Sequence, residues 1–287
     1  MNIVIGKNSN LSNTLLEKVD NVVLVSSRDI ISNTDVLKKY KNDKKNIIFN
    51  NFHPSNKLNE VGNYINYIQN SIAVTAMVLE YFRDSEINKI VYSSSSSVYG
   101  DNSEKCKESD FVNPLNFYSS VKLANEMLIR EYCNAASIDY TITRIFNMYG
   151  GNDNFSIINK IIQSYVNNSD LLLRNKGQSV RDFIHVDDVA LIYSKLLNIK
   201  GVPILNVGTG RGISIASILD FLIKKGVDVS YAVQFQDEIA TSISDNALLL
   251  SSIGNIDYVD VNNYLLEELD QWKKLSLLQP PPLVFRL

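Results

Sequence analysis

Asn88-Lys-Ile-Val-Tyr-Ser-Ser-Ser-Ser-Ser-Val-Tyr-Gly100 begins as an apolar strand and ends in a run of small polar residues. Pro114 and Asn116 then mark a loop. Beyond them Tyr118 and Lys122 precede Leu123, Ala124, Met127 and Leu128, an apolar stripe with helical spacing. A strand that delivers hydroxyls to the start of a helix is the unit of a parallel sheet whose polar groups gather at strand ends.

The chemistry expected of that unit follows from the spacing. Residues four apart share one face of a helix, so Lys122 stands beside Tyr118. A free phenol titrates near about pH 10, too high for a base at neutral pH. A neighbouring ammonium and an oxidised nicotinamide would both favour the phenolate and are expected to lower that value, bringing a general acid or base close to the operating pH. Tyr40 and Lys44 have the same spacing, but they lie in a lysine-rich run, Lys38 to Lys45, that reads as a solvated helix end.

Outward from this centre, the chain alternates strands and helices. Strands are expected over Asn2 to Gly6, Asn21 to Ser26, Asn46 to Asn50, Ile90 to Ser94 and Tyr140 to Ile145. Helices are expected over Ser12 to Lys18, Thr34 to Tyr40, Tyr67 to Phe82 and Tyr118 to Ala135. This alternation predicts an α/β fold with a parallel sheet covered on both faces, and it places Gly6, Ser26, Asn50, Ser95 and Asn147 at strand ends. After Gly150 the pattern loosens. A helix over Phe155 to Val166, strands over Asp170 to Arg174 and Ile204 to Val207, and a helix over Ile213 to Lys224 capped by Ser214 suggest a smaller mixed region suited to covering a substrate.

The loop after the first strand, Gly6-Lys7-Asn8-Ser9-Asn10-Leu11-Ser12, keeps only the first of the three glycines that a dinucleotide loop uses. Ser9 and Ser12 stand at the other two positions, and Ser12 is placed to cap the helix that receives phosphate. Gly6, Ser9, Asn10, Leu11 and Asn50 are candidate cofactor contacts. The second strand ends in Ser26-Ser27-Arg28 rather than in an acidic residue. Hydroxyls and a guanidinium suit a 2′-phosphate, which favours NADP(H), with NAD the alternative.

Composition excludes several classes. The 287 residues suffice for one large or two intimate domains; 45% are hydrophobic and 21% charged, and the net charge of −3 comes with no basic stripe for nucleic acid. Two cysteines and two histidines, His53 and His185, make a disulfide framework, a zinc site or a Ser-His-Asp hydrolase hard to build, so no metal is expected. No signal peptide or apolar span of membrane length is seen, so a cytoplasmic protein is expected. The tail from Leu277 to Leu287, with Pro280 to Pro282, reads as an extended arm.

Assembled, these motifs resemble the extended short-chain dehydrogenase/reductase family, in its NAD-dependent epimerase/dehydratase group acting on nucleotide sugars. The resemblance rests on the Gly6 loop, Asn70, Val91 to Gly100 and Tyr118-x-x-x-Lys122. It continues through Arg144-Ile-Phe-Asn147-Met-Tyr149-Gly150, Arg181 to Val189, and Asn206-Val-Gly208-Thr-Gly210. It implies a Rossmann-type, doubly wound parallel sheet over residues 1–150, with 183–207 returning to it, and a substrate-binding region over 151–182 and 208–287. It implies Ser95 as the catalytic hydroxyl, Tyr118 as acid/base and Lys122 as its partner on the nicotinamide ribose. Asn70 becomes a cofactor contact, Ser95, Ser96 and Asn147 substrate contacts, and Arg181 a diphosphate contact, for which a planar guanidinium is suited. The bland alternative for Arg181 is an ion pair with Asp182; for Asp187 and Asp188 it is helix capping, which is preferred. A homodimer is implied through the helices around Tyr67 and Tyr118.

The departures carry information too. Ser96 and Ser97 stand where the family's 4,6-dehydratases place Asp and Glu, which tells against dehydration. Gly151 replaces a proline, and Gln236 stands near the position of a second diphosphate arginine. The short connection between the second and third strands leaves the sheet one strand short. The first expectation is therefore an NADPH-dependent reductase of a nucleotide-linked 4-keto-6-deoxysugar in surface polysaccharide synthesis. A nucleotide-sugar 4-epimerase with bound NAD is the alternative, and a catalytically idle nucleotide-binding module a second one.

Overall fold

The computed structural model describes residues 1–50, 63–236 and 238–278. The chain runs through β1 (Asn2–Ile5), α1 (Asn10–Lys18), β2 (Val22–Val25), α2 (Ser27–Ser32), a 3-10 segment (Thr34–Tyr40) and β3 (Lys45–Phe49). It continues with α3 (Tyr64–Ile68), a π-helical turn (Gln69–Ala73), α4 (Val74–Tyr81), β4 (Ile87–Ser95), α5 (Phe117–Ala136), β5 (Asp139–Ile145) and β6 (Asn147–Tyr149). Then come α6 (Ile157–Val166), β7 (Leu171–Arg174), β8 (Val180–His185), α7 (Val186–Leu196), β9 (Ile204–Val207), β10 (Gly212–Ser214) and α8 (Ile215–Lys224). The last elements are β11 (Tyr231–Gln234), β12 (Thr241–Ser242), α9 (Ala247–Ile253) and α10 (Val261–Leu278).

A six-stranded parallel sheet in the order β2-β1-β3-β4-β5-β9 forms the centre. Its inner strands are apolar on both faces because helices cover both. Ile3, Ile5, Ile47, Phe49 and Ile90 pack with α4 and α5 on one side; Val4, Ile48 and Val91 pack with α1 and α7 on the other. Each such fully buried side chain contributes about 1.5–3 kcal/mol. β2 is one edge of the sheet, in keeping with the short connection that follows it, and β9 is the other. A third cluster, built on Ile158, Ile161, Leu173, Phe183 and Leu222, holds the smaller part of the molecule. There β8 pairs with β6, β10 and β12, while β7 pairs with β11.

Several expectations need correction. The helix expected over Tyr67 to Phe82 starts at Tyr64 and is interrupted by the π turn that contains Asn70. Ser27–Ser32 is a short helix, not a loop, with Ser26 at its N-cap, so Arg28 sits on a helix. Lys45 does not belong to a solvated helix end. It opens β3 at 1% exposure, donates to the Lys41 carbonyl at 3.0 Å and lies 4.8 Å from the Phe82 ring. Ser214 does cap α8, accepting from the Ser217 amide at 3.1 Å. Residues 279–287 of the proline-containing tail, and His53, lie outside the described residues.

Candidate active site

The polar residues at the carboxyl ends of β1, β2, β3, β4 and β5 open into one cavity of about 1200 Å³. A single-ligand pocket occupies roughly 300–1,000 Å³, so this one has room for a dinucleotide and a second molecule together. Gly6, Ser9, Asn10, Leu11, Ser26, Ser27, Arg28, Asn50 and Asn70 line it, as do Ser95, Tyr118, Lys122, Asn147 and Arg181. Two expected substrate contacts are not among the lining residues. Ser96 turns away into a 3-10 segment, and Gln236 is exposed, with its backbone paired to the Asn175 side chain.

The serine run divides its hydroxyls among three tasks. Ser93 pairs with the Tyr193 hydroxyl at 2.8 Å behind the sheet. Ser94 donates to Glu126 of α5. Ser95 accepts from the Ser97 amide at 3.2 Å, faces the cavity and forms a side-chain hydrogen bond with Tyr118. Tyr118 enters the cavity because α5 starts immediately before it. Asn116 caps that helix in a reciprocal box: the Ser119 amide donates to Asn116 Oδ1 at 2.9 Å, and the Asn116 amide donates to Ser119 Oγ at 3.2 Å.

Lys122 lies one turn on, with its Nζ 5.9 Å from the Tyr118 ring centre and 5.1 Å from that of Tyr92. Its Nζ donates to the Ser93 carbonyl at 2.6 Å. The expected acidification of the phenol is not found in the ligand-free protein. Burial pushes Tyr118 above its ordinary value, and the hydrogen bond to Ser95 only opposes this. Burial likewise lowers Lys122 to about 7, against an opposing effect of Glu126. Desolvation dominates both shifts because a charge on either buried group would have lost its water.

The glycine-poor loop closes on itself. Ser9, not Ser12, is the N-cap of α1, accepting from the Ser12 amide at 3.0 Å. The Ser12 hydroxyl donates to the Gly6 carbonyl at 2.8 Å, and Asn50 donates to both serines. Gly6, at φ 114°, makes the turn that a side chain would oppose. Asn10 reaches across to the turn after β6, donating to the Gly150 carbonyl and accepting from the Asn152 amide, each at 2.8 Å. With Asn10 and Leu11 of the first turn of α1 lining the cavity, this loop fits a pyrophosphate at a helix N-terminus.

On the far wall, Arg181 does not pair with Asp182. Its guanidinium donates to the carbonyls of Ile239 at 2.6 Å and Val180 at 2.9 Å, and stands 3.8 Å from Glu238. Asp182 instead gathers the loop from Gly208 to Gly210: it accepts from the Thr209 amide and hydroxyl, the Gly210 amide, and the amide and hydroxyl of Ser244. Asn147 donates to the Asp182 carbonyl at 3.1 Å. Asp187 and Asp188 lie in the first turn of α7, whose N-cap is His185. Asp188 also accepts from the Val259 amide at 3.1 Å, a tie to the entry of α10. Sequence inspection missed Lys160 of α6 and Glu238, which line the cavity; a lone Lys or Glu carries no spacing signal.

Residues 4–208 match the family model described as "NAD dependent epimerase/dehydratase family". A putative UDP-glucose 4-epimerase of Methanocaldococcus jannaschii is 33% identical over 154 residues, covering 52% of this chain and 50% of its own. The UDP-glucose 4-epimerase of Haemophilus influenzae is 29% identical over 220 residues, covering 66% and 64%. The chain thus spans about half to two thirds of the length of these curated relatives. Among solved structures, a Bacillus cereus UDP-glucuronic acid 4-epimerase in complex with UDP-glucuronic acid and NAD superposes with a TM-score of 0.80 at 22% identity. The match covers 96% of this chain and 100% of that one, a likeness of fold.

Proposed function

The chain belongs to the NAD dependent epimerase/dehydratase family, and from that premise we propose that it is a nucleotide-sugar 4-epimerase that works with NAD. The observation that carries this is the convergence of Ser95, Tyr118 and Lys122 in one cavity with the α1 loop on one wall and Asn147 and Arg181 on the other. The two named relatives, both described as UDP-glucose 4-epimerases, support it over the reductase favoured by the sequence.

An oxidised nicotinamide, when bound, supplies the hydride acceptor and a positive charge beside the phenol. Gly6, Ser9, Asn10 and Leu11 would hold its pyrophosphate, and Lys122 its ribose. Tyr118 Oη takes the proton from the sugar hydroxyl and returns it to the same oxygen after the ketone has presented its opposite face. Ser95 Oγ orients that oxygen. Because burial keeps Tyr118 protonated in the free protein, the phenol becomes a base only once cationic charge enters the cavity. Arg181, already turned toward backbone carbonyls, has N–H groups to share with a diphosphate.

The specific observation that favours a second reaction is Arg28 on the cavity wall beside Ser26 and Ser27. That set suits a 2′-phosphate and hence an NADPH-dependent reduction of a 4-keto sugar nucleotide. A cytoplasmic homodimer completes the proposal; exposed Ile65, Ile68 and Met127 on α3 and α5 support the dimer. Among the described residues no helix is long and apolar enough to cross a membrane.

The test is incubation of the purified protein with UDP-glucose, UDP-glucuronic acid and NAD, with products resolved by NMR. Interconversion at C4 without net change in NADH is expected. Consumption of NADPH with a 4-keto sugar nucleotide, and none of the former, would replace the epimerase by the reductase. Failure to bind either dinucleotide at millimolar concentration would leave an idle module.

A further inference from the structure

Glu126 is a carboxylate sealed inside the protein at 4% exposure, one helical turn beyond Lys122, itself at 5%. Residues four apart face the same way on α5, so both look at the end of β4. Each makes a bond to it: Lys122 Nζ to the Ser93 carbonyl at 2.6 Å, and Glu126 to the Ser94 hydroxyl. Arg144 of β5 completes the carboxylate's shell, with Nη2 at 2.8 Å and Nε at 3.2 Å. The guanidinium lies 4.8 Å from the centre of the Tyr99 ring, and the Tyr99 hydroxyl donates to Asn206 at 2.7 Å.

A buried ion pair is a costly way to dock a helix, since apolar side chains of similar volume hold as well or better. Its location therefore needs a reason. We propose that Glu126, with Arg144 and Ser94, is a positioning residue for Ser95, Tyr118 and Lys122. It fixes the register of α5 on the serine end of β4, and it supplies the negative charge that keeps the Lys122 amine cationic in a dry site.

The surroundings of Lys122 bear this out. Among the described residues, the groups that face it include Tyr118 and Glu126 from its own helix and Tyr92 from β4, with Tyr67 of α3 near Tyr118. Burial lowers the amine, and Glu126 is a charge among the described residues that raises it against burial. Arg144 reaches from β5 to both carboxylate oxygens, so its charge is paired with Glu126. Lys122 is thereby held at about 7, where protonation responds to small changes in neighbouring charge.

This inference rests on the proposed roles of Tyr118 and Lys122, but its test needs no substrate. Lysine ¹³Cε resonances of the ligand-free protein are titrated by NMR, with the Lys122 signal assigned by its loss in Lys122→Met. Glu126→Gln is expected to lower the Lys122 midpoint by about one pH unit, and Glu126→Asp to keep it near wild type. Arg144→Gln frees the carboxylate from its partner and is expected to raise the midpoint. These opposite shifts distinguish electrostatic positioning from simple loosening of α5, and either variant decides if the other fails to fold. Midpoints unchanged in a folded Glu126→Gln or Arg144→Gln protein, or displaced the same way in both, would overturn the proposal. A wild type that titrates as stated yet converts no UDP-sugar tells against the 4-epimerase and leaves the role of Glu126 standing.

Discussion

Lys122 Nζ donates to the Ser93 carbonyl at 2.6 Å, so the helix that carries Tyr118 is pinned to the strand that carries Ser95. Two groups proposed to meet on one substrate oxygen are thus fixed by a bond that neither of them makes. Removal of Tyr118 should therefore leave the scaffold of the cavity intact. Tyr118→Phe is expected to reduce turnover by about 10²–10⁴-fold, the usual contribution of a general acid–base. Dinucleotide affinity should change by less than a few-fold, measured by calorimetry beside the rate.

Lys122 also sets a pH dependence of stability. Its folded value, about 7, lies below the ordinary 10.5, so between those limits the unfolded chain binds the extra proton. Stability from this group accordingly rises with pH across that window and falls as pH drops through it. Thermal melts from pH 6 to pH 10.5 should show Lys122→Met gaining on wild type at the acidic end, with the difference shrinking toward the alkaline end. Parallel curves would contradict the burial of a titrating amine.

Arg28 separates the two cofactors. It lines the cavity from α2, with Ser26 and Ser27 beside it. Arg28→Ala should leave the NAD dissociation constant within about twofold, while any NADP affinity falls by about tenfold or more, the effect of one charge-assisted hydrogen bond. Fluorescence titration with both dinucleotides reads the ratio.

Asp182 is fully buried and accepts hydrogen bonds from Thr209, Gly210 and Ser244. Asp182→Asn turns an amide donor toward backbone donors and should cost about 2–4 kcal/mol. Denaturant unfolding gives the value, and loosening of the Gly208 to Gly210 loop should appear as faster amide exchange there.

The parallel sheet, and the meeting of Ser95, Tyr118 and Lys122 in one cavity, were legible because both follow from local rules: apolar strands ending in polar residues, and a four-residue helical spacing. Asn147 and Arg181 were found by resemblance to a motif. Other features escaped because their causes are distant in sequence. The π turn around Asn70 breaks no local pattern in Tyr64 to Tyr81. The burial of Lys45 depends on Phe82, thirty-seven positions away, closing over a side chain that looks solvated in its own neighbourhood. The upward shift of Tyr118 in the ligand-free protein was not legible, because spacing reveals a neighbouring ammonium but not the loss of water around both groups. The bland alternative for Arg181, an ion pair with the adjacent Asp182, fails because consecutive residues on β8 point to opposite faces.

β2 ends the central sheet, and its outer backbone faces no further strand among those described. Such a margin is a template on which a second polypeptide can add a strand, the usual first step of aggregation. Here the hazard is limited by length. The ladder is four residues long, and Ser26 turns the chain into α2 directly after Val25. A variant that lengthened this strand by replacing the Ser26-Ser27-Arg28 turn with β-formers would trade part of the cavity wall for an adhesive border.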